Sequence, residues 1–220
     1  MVEFSRHTAD EIGPAIEAEV AFFQELGQGF EWKVFTHDLP LDLKERLRAA
    51  GFEIGEPEAV MAISLTDSLS LHPDGSGDEI TFRQIQSDRD LDEYFAVADS
   101  VWGSRTPGER AYYAALLAAR PIRMRAYVAR IDGKPVHAAR MTLCHDSGVA
   151  GLWGGGTLPD FRRRGIYAAS VRLRLSDARE AGMRYALVDA KPTSEPILKR
   201  LDFEQIATTY PCTKASRLPG

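Results

Sequence analysis

The segment from residue 149 to residue 178 constrains the fold more than any other part of the sequence. A strand-like run ends in three consecutive glycines, Gly154-Gly155-Gly156, and a turn follows at Pro159. After three arginines and Gly165, apolar residues recur at helical spacing. The segment therefore predicts a strand, a tight loop and an amphipathic helix, which is the building unit of an α/β protein.

The loop itself, Arg162-Arg163-Arg164-Gly165-Ile166-Tyr167, predicts an anion-binding site. The first turn of a helix leaves backbone N–H groups without partners inside the helix, and its dipole adds partial positive charge. A diphosphate can accept from several of these donors together, and a glycine lets the backbone come close to it. Three arginines alone would indicate a solvated basic turn. The combination with a strand, a glycine and an amphipathic helix favours the anion site.

A turn-rich stretch at residues 70–78 predicts a linker. It divides the predicted elements into an N-terminal group and a C-terminal group, and the segment described above belongs to the second. Residues up to 65 predict helix, strand, helix, strand, with Pro14 in the first helix and with Asp42 and Glu45 as a capping box for the second, which ends at Gly51. Thr106 and Pro107 predict the start of a later helix. The remaining elements are strands at 79–84, 125–131, 136–144, 149–158, 185–190 and 204–212, and helices at 88–101, after 165 and at 195–201.

Two short segments of the sequence are similar to each other, and this similarity has two interpretations. Leu43-Lys44-Glu45-Arg46-Leu47 and Ile197-Leu198-Lys199-Arg200-Leu201 each precede a turn, a phenylalanine and a strand. Helix–turn–strand units can look alike for local reasons. Alternatively, the first 70 residues are a shortened relative of the C-terminal half of the chain.

The sequence resembles the GNAT superfamily of acyl-CoA-dependent N-acyltransferases. The resemblance rests on the Arg-x-x-Gly-x-(small) loop, on the preceding Thr157-Leu158-Pro159, and on residues 197–203, which are similar to the family's helix ending in a Leu-Gly-Phe turn. It implies an α/β fold with a GNAT-like mixed central sheet and a bulged strand at the acyl-CoA site. The implied organisation is a degenerate α/β half-domain at 1–71, a linker at 72–78 and an N-acetyltransferase domain at 79–220.

The resemblance also implies the residues that bind the co-substrate, acetyl-CoA. The loop from Arg162 to Tyr167 would hold the diphosphate of coenzyme A, and a backbone N–H at the glycine bulge would polarise the thioester carbonyl. The strand edge before the loop would pair with the pantetheine arm, as a peptide strand does. The complete set of expected binding residues is Gly155, Gly156, Thr157, Leu158, Arg162, Arg163, Arg164, Gly165, Ile166, Tyr167 and Ser194.

The residues for proton transfer depart from the family pattern. Trp153 or Gly154 stands where a glutamate is common, Leu198 where a tyrosine is common, and Lys191 where an asparagine is common. Tyr210 and Asp189 are the substitute catalytic candidates. A third is Tyr167, which also ends the loop in place of a small residue. Each has a bland alternative as a packing, capping or ion-pairing residue, and His137 and His145 are expected to be surface or hydrogen-bonded histidines.

Charge and hydropathy restrict the partners. The net charge of −5 and the pI near 5.6 argue against a general nucleic-acid binder. No apolar run approaches the roughly 20 residues that span a bilayer, and no export signal is evident, so a cytoplasmic location without membrane contact is expected. Cys144 and Cys212 lack metal-ligand spacing, and no metal is expected. A homodimer is possible on the sequence alone.

Two functions of different classes follow. The first is an acetyl-CoA-dependent N-acetyltransferase that moves an acetyl group to an amine of a small molecule or peptide by direct attack on the thioester. The second is a non-catalytic acyl-CoA-binding module that has lost its proton relay. The acceptor amine is not specified by the sequence, because the residues ahead of the strand at 125–131 (Tyr112, Tyr113, Arg120 and Arg123) have mixed chemistry.

Overall fold

The computed structural model describes residues 2, 5–65, 80–103 and 108–216 and shows a mixed α/β protein. The fold class predicted from the sequence is therefore confirmed. The predicted linker at 70–78 and the predicted helix start at Thr106 and Pro107 lie outside the described residues. The helices are α1 (Ile12–Glu25), α2 (Leu43–Ala49), α3 (Asp90–Trp102), α4 (Glu109–Ala118), α5 (Ile166–Glu180) and α6 (Glu195–Lys199). The strands are β1 (Phe30–Phe35), β2 (Glu53–Ile54), β3 (Glu58–Ser64), β4 (Thr81–Gln84), β5 (Met124–Ile131), β6 (Lys134–Cys144), β7 (Val149–Thr157), β8 (Tyr185–Ala190) and β9 (Glu204–Lys214).

The chain forms two compact units, each assembled from separate stretches of the sequence. The first unit comprises Met1–Met61, Asp189–Pro196 and Gln205–Gly220. The second unit comprises Ala62–Val188 and Ile197–Glu204. The last strand therefore belongs almost entirely to the same unit as the N-terminal elements.

The first unit is organised around β9. This strand pairs antiparallel with β1, from Phe30 opposite Lys214 to Phe35 opposite Thr209, and also with β2. Helices α1 and α2 bury Ile16 and Leu47 against the aromatic residues of β1. The core is completed by Ile12, Phe30, Trp32, Val34, Leu43, Phe52 and Cys212.

The ends of α2 show one correct and one wrong prediction. The helix ends in a Schellman motif, since the Phe52 N–H donates to the Leu47 carbonyl and the Gly51 N–H donates to the Arg48 carbonyl. Gly51 has a φ of +83°, as expected of the residue after a helix. The predicted capping box is absent, because the Asp42 carboxylate instead accepts from the Arg46 side chain four residues on, at 2.9 Å.

The second unit contains a mostly antiparallel sheet in the order β8–β7–β6–β5–β4, in which only β7 and β8 run parallel. The predicted hairpin turn between β5 and β6 is confirmed, with φ of +50° at Asp132 and +73° at Gly133. Helices α3 and α4 pack on one face of the sheet through a core that includes Phe95 and Tyr113. Helix α5 contacts β6 and β7.

Candidate functional site

Strand β7 carries a bulge at its glycines. Ala138 of β6 lies opposite Gly156 and Arg140 lies opposite Trp153, so the single residue between them on β6 faces two on β7. Gly154, one of those two, has a φ of +57°. On its other side β7 pairs with β8 only from Val149 to Gly151, although β7 continues to Thr157. The predicted bulge is therefore present, and the parallel pairing stops before it.

At each of these three glycines, neighbouring groups occupy the space that a side chain would take. A methyl group at Gly154 would lie 2.6 Å from an Arg140 guanidinium nitrogen. At Gly155 it would lie 2.9 Å from the Tyr167 ring, and at Gly156 it would lie 2.7 Å from Val101. The three glycines thus let two layers of side chains touch the backbone of β7 from opposite faces.

The loop after β7 leads through a short turn and a glycine cap into α5. The Leu158 N–H still donates to the Val136 carbonyl at 2.9 Å, and a short 3₁₀ helix, Pro159–Phe161, follows. Gly165 then caps α5 with a φ of +76°, and nothing lies within 4 Å of the position of its absent methyl group. The space beside the Gly165 cap, where α5 begins at Ile166, is therefore open, and the N–H groups of the first helical turn have no partners inside the helix.

The three arginines have different environments around this helix start. Arg162 is exposed, and its Nε donates to the Thr157 carbonyl at 3.1 Å. Arg163 is exposed and has a φ of +63°. Arg164 is half-buried, with its guanidinium 5.5 Å from the centre of the Phe161 ring. Two of the side chains thus brace the loop, and all three raise the local positive potential.

A fourth arginine lies beneath the bulge, and its position was not predicted. The apolar stripe of α5 in the sequence is Ala168, Val171, Leu175 and Ala178, which leaves Arg174 outside it, but the Arg174 side chain is 1% exposed. Its Nε donates to the Ser170 carbonyl, and its Nη1 donates to the Arg140 carbonyl at 3.1 Å, opposite the bulge. Burial lowers the pKa of this guanidinium. The signal was available, since residue 174 falls between the stripe positions Val171 and Leu175, where helical spacing places it on the buried face.

His137 is a buried, neutral histidine. Its Nδ1 is 2.8 Å from the Thr157 hydroxyl oxygen, and desolvation, with the Arg174 charge, lowers its pKa to about 3. His145 is exposed, with its Nε2 2.8 Å from the Ile122 carbonyl. Both are hydrogen-bonded histidines, in line with the sequence-based expectation.

The two catalytic candidates from the sequence lie in the first unit. Asp189 forms a salt bridge with Lys33, whose ammonium is also 3.8 Å from Glu58. Tyr210, on β9, lies under the ammonium of Lys44 at 3.7 Å from its ring centre. Both side chains therefore have structural partners within that unit.

The other predicted residues are placed as follows. Ser194, also in the first unit, donates from its hydroxyl and its backbone N–H to the Lys191 carbonyl. Tyr167 is half-buried against Gly155 in the second unit. Leu198, which stands where the family often has a tyrosine, is fully buried.

Residues 74–190, more than half of the chain, match the family described as acetyltransferase (GNAT) domain. The chain belongs to this family of N-acyltransferases. No curated protein matches the sequence significantly.

Solved structures share the fold over 68% to 100% of the chain. A GCN5-related N-acetyltransferase from Kribbella flavida is 24% identical with a TM-score of 0.71, covering 100% of this chain and 78% of its own. A GCN5-related N-acetyltransferase from Sphaerobacter thermophilus is 15% identical with a TM-score of 0.66, covering 93% of this chain and 67% of its own. The aminoglycoside N-acetyltransferase AAC(6')-Iy, in complex with CoA, is 20% identical with a TM-score of 0.50, covering 68% of this chain and 96% of its own. The GNAT-like fold is thereby confirmed.

Two features are absent from the described part of the chain. None of its helices is long and apolar enough to cross a bilayer. Within the same residues, no group of three or more histidine, cysteine, aspartate or glutamate side chains is arranged to hold a metal ion.

Proposed function

We propose that the protein is an acetyl-CoA-dependent N-acetyltransferase that acts on an amine of a small molecule or peptide. The observation that supports this most strongly is the local arrangement of the β7 bulge followed by the Gly165 cap, which is open on its outer side at the start of α5. Family membership supplies the reaction class, and a relative of the same fold is described in complex with CoA.

The diphosphate of acetyl-CoA would bind at the start of α5. The N–H groups of the first turn, from Ile166, and the helix dipole favour a negatively charged ligand. Arg162, Arg163 and Arg164 would add charge around it. A side chain at Gly165 would enter this space, which explains why the helix cap carries none.

The pantetheine arm would extend β7 as an added strand. Beyond Gly151 the strand no longer pairs with β8, which leaves backbone groups from Leu152 onward to pair with an amide-bearing ligand. A backbone N–H at the bulge would then donate to the thioester carbonyl and stabilise the oxyanion that develops during attack.

The chemical step would be a direct transfer. A neutral amine nitrogen attacks the thioester carbon, the C–N bond forms, the C–S bond breaks, and coenzyme A leaves as a thiol after gaining a proton. The amine must lose a proton, either to a side chain or to water. His137 is a poor candidate for this base, because it is fully buried and desolvation lowers its pKa to about 3.

Asp189 and Tyr210 remain the candidates for proton transfer. A general base or acid contributes roughly 10²–10⁴-fold to rate. If either residue has this role, Asp189→Asn or Tyr210→Phe lowers kcat by that factor and changes its pH profile. A change in melting temperature with an unaltered pH profile would assign the residue to stability alone.

Release of free thiol distinguishes the enzyme from the alternative, a non-catalytic acyl-CoA-binding module. The full chain is incubated with acetyl-CoA and a panel of amines, and thiol is followed over many turnovers, with protein-free and amine-free reactions as controls. The enzyme gives steady, amine-dependent release. Binding of acetyl-CoA without amine-dependent release from any panel member would favour the binding module.

A further inference from the structure

The guanidinium of Arg140 lies beside the β7 bulge in an aromatic setting. Arg140 is directly opposite Trp153 in the pairing of β6 with β7. Its guanidinium carbon is 5.0 Å from the centre of the Tyr113 ring, and the Tyr94 hydroxyl lies beside the bulge on the same side, 3.5 Å from the position of the methyl group that Gly154 lacks. The missing methyl group of Gly154 would lie 2.6 Å from the Arg140 Nη1.

Arg140 differs from its charged neighbours in its partners. In the same unit, Arg130 pairs with Glu93 and Arg125 is 3.6 Å from Asp177. Among the described residues, no carboxylate forms a salt bridge with Arg140. Its described neighbours are the Tyr94 hydroxyl and the face of the Tyr113 ring, which stabilise a cation but carry no compensating negative charge.

The two phenols around Arg140 are fixed and uncharged. Tyr94 is 2% exposed and Tyr113 is 5% exposed, and burial raises the pKa of both. The Glu109 carboxylate near Tyr113 raises the pKa of that phenol further. Because both rings are fixed in the core, they hold the guanidinium in one place, where its N–H groups can donate to a planar anion.

We propose that Arg140 binds a carboxylate of the acetyl acceptor, so that the acceptor is an amino-carboxylic acid. A half-buried guanidinium without a carboxylate partner gains most from a ligand that supplies one, and its N–H groups match a carboxylate in a two-bond geometry. Gly154 adjoins this guanidinium, so an amine close to the carboxylate would lie beside the bulge. The proposal rests on the proposed N-acetyltransferase function.

The test compares acceptors that differ only in the carboxylate. The full chain is assayed by thiol release from saturating acetyl-CoA with the twenty standard α-amino acids, their carboxamides, the corresponding decarboxylated amines and the aminophosphonate analogues. A hydrogen bond to a charged group contributes about 1.5–3 kcal/mol, so we expect kcat/KM for the best amino acid to exceed that of its carboxamide by about 10–100-fold.

The variant Arg140→Met tests the residue itself. It keeps an unbranched, flexible side chain of similar apolar stem but removes the guanidinium and its charge. We expect the carboxylate preference to fall to within about threefold, through a rise in KM for the amino acid, because its charge-assisted contact of 1.5–3 kcal/mol is removed. We expect kcat/KM for the carboxamide to change little. The acetyl-CoA-induced rise in melting temperature serves as the control for folding and co-substrate binding.

Several outcomes would overturn the proposal. Turnover of none of the amino acids would do so, whatever the other amines do. A loss in Arg140→Met that is equal for amino acid and carboxamide would assign the arginine a structural role. A preference for the phosphonate would replace the carboxylate with a phosphate-bearing acceptor. The proposed function fails separately, when acetyl-CoA leaves the melting temperature unchanged and no amine releases thiol.

Discussion

The two units of the protein differ in what defines their most constrained positions. In the second unit, the bulge and the helix cap consist of glycines. Neighbouring atoms crowd the places of the missing side chains at the bulge, whereas the place of the missing side chain at the Gly165 cap is open. In the first unit, the most constrained positions are instead charged side chains. Lys33 forms salt bridges with Asp189 and Glu58, and all three side chains are less than one-fifth exposed. We therefore expect changes in the second unit to affect ligand binding and rate first, and changes in the first unit to affect stability first.

The largest effect is expected from removing the N-terminal strands. A fragment that begins at Asp78 keeps β9 but lacks β1 and β2, with which β9 pairs. It also lacks Trp32 and Phe30, and burying an aromatic side chain contributes about 1.5–3 kcal/mol. We expect a fragment that is insoluble or melts at least roughly 10 °C lower than the full chain.

Expression, thermal melting and acetyl-CoA binding of that fragment measure this effect. A monomeric fragment with the stability and amine turnover of the full chain would show that the N-terminal strands are a tethered accessory. The expectation that changes in the first unit affect stability first would then be wrong.

A single methyl group in the second unit should reduce rate more than stability. Gly154→Ala places that group 2.6 Å from the Arg140 guanidinium, at a φ of +57°. Gly133→Ala is the matched control, because its φ is +73° but nothing lies within 4 Å of the added methyl. Each variant should lose roughly 1 kcal/mol of unfolding free energy through backbone strain.

Only Gly154→Ala should also lower kcat/KM, by about 10²-fold, since a small displacement near the reacting groups has effects of that size. Steady-state thiol release and thermal melting of both variants provide the comparison. Equal activity in the two would mean that the bulge does not position the thioester.

The smallest effect concerns the charges of the first unit. Burial raises the pKa of Glu58, while Lys33 opposes the shift; Asp189, Lys191 and Glu31 also act on this carboxyl group. A raised pKa in the folded state means that the folded protein holds this proton more tightly than the unfolded chain. This contribution to stability is complete below the ordinary glutamate value of about 4.3 and is lost as pH rises through the folded-state pKa.

Glu58→Gln removes that titration. The melting temperature of the variant minus that of the wild type should therefore grow as pH rises from about 4 to 7, by no more than about 3 °C because solvent screens this half-buried group. Acetyl-CoA binding should not change. A difference that shrinks with rising pH would show that Lys33 dominates and that the carboxylate is net stabilising.

The order of elements and the loop could be predicted from the sequence because their causes are local. Glycine patterns specify the hairpin at Asp132-Gly133, the end of α2 at Gly51 and the bulge at Gly154, each with a positive φ. Helical spacing located α1 and α5. The resemblance to GNAT proteins then linked the loop to coenzyme A.

The side-chain partners could not be predicted because they are set by pairing between distant strands and helices. The contact of Arg140 with Tyr94 and Tyr113 joins β6 to α3 and α4, and the salt bridge of Lys33 with Asp189 joins residues 156 positions apart. The capping box at Asp42 failed for a local reason, since Arg46 competes for the same carboxylate. For Arg174, helical spacing already indicates the buried face of α5, but its partner, a carbonyl group of another strand, could not be read from the sequence.

The measurement that tests the central account most directly is the acetyl-CoA-induced change in melting temperature for the wild type, Gly165→Asp and Gly182→Asp. The two glycines lie at opposite ends of α5 with φ of +76° and +79°, and nothing is within 4 Å of either absent methyl group. At about 100 times Kd, a ligand adds about 2.7 kcal/mol, which raises the melting temperature of a chain this long by about 5–11 °C. We expect that rise in the wild type and in Gly182→Asp, and less than about 1 °C in Gly165→Asp, whose carboxylate would occupy and repel the diphosphate site. A wild-type rise in Gly165→Asp would contradict the account and show that the loop is a solvated basic turn.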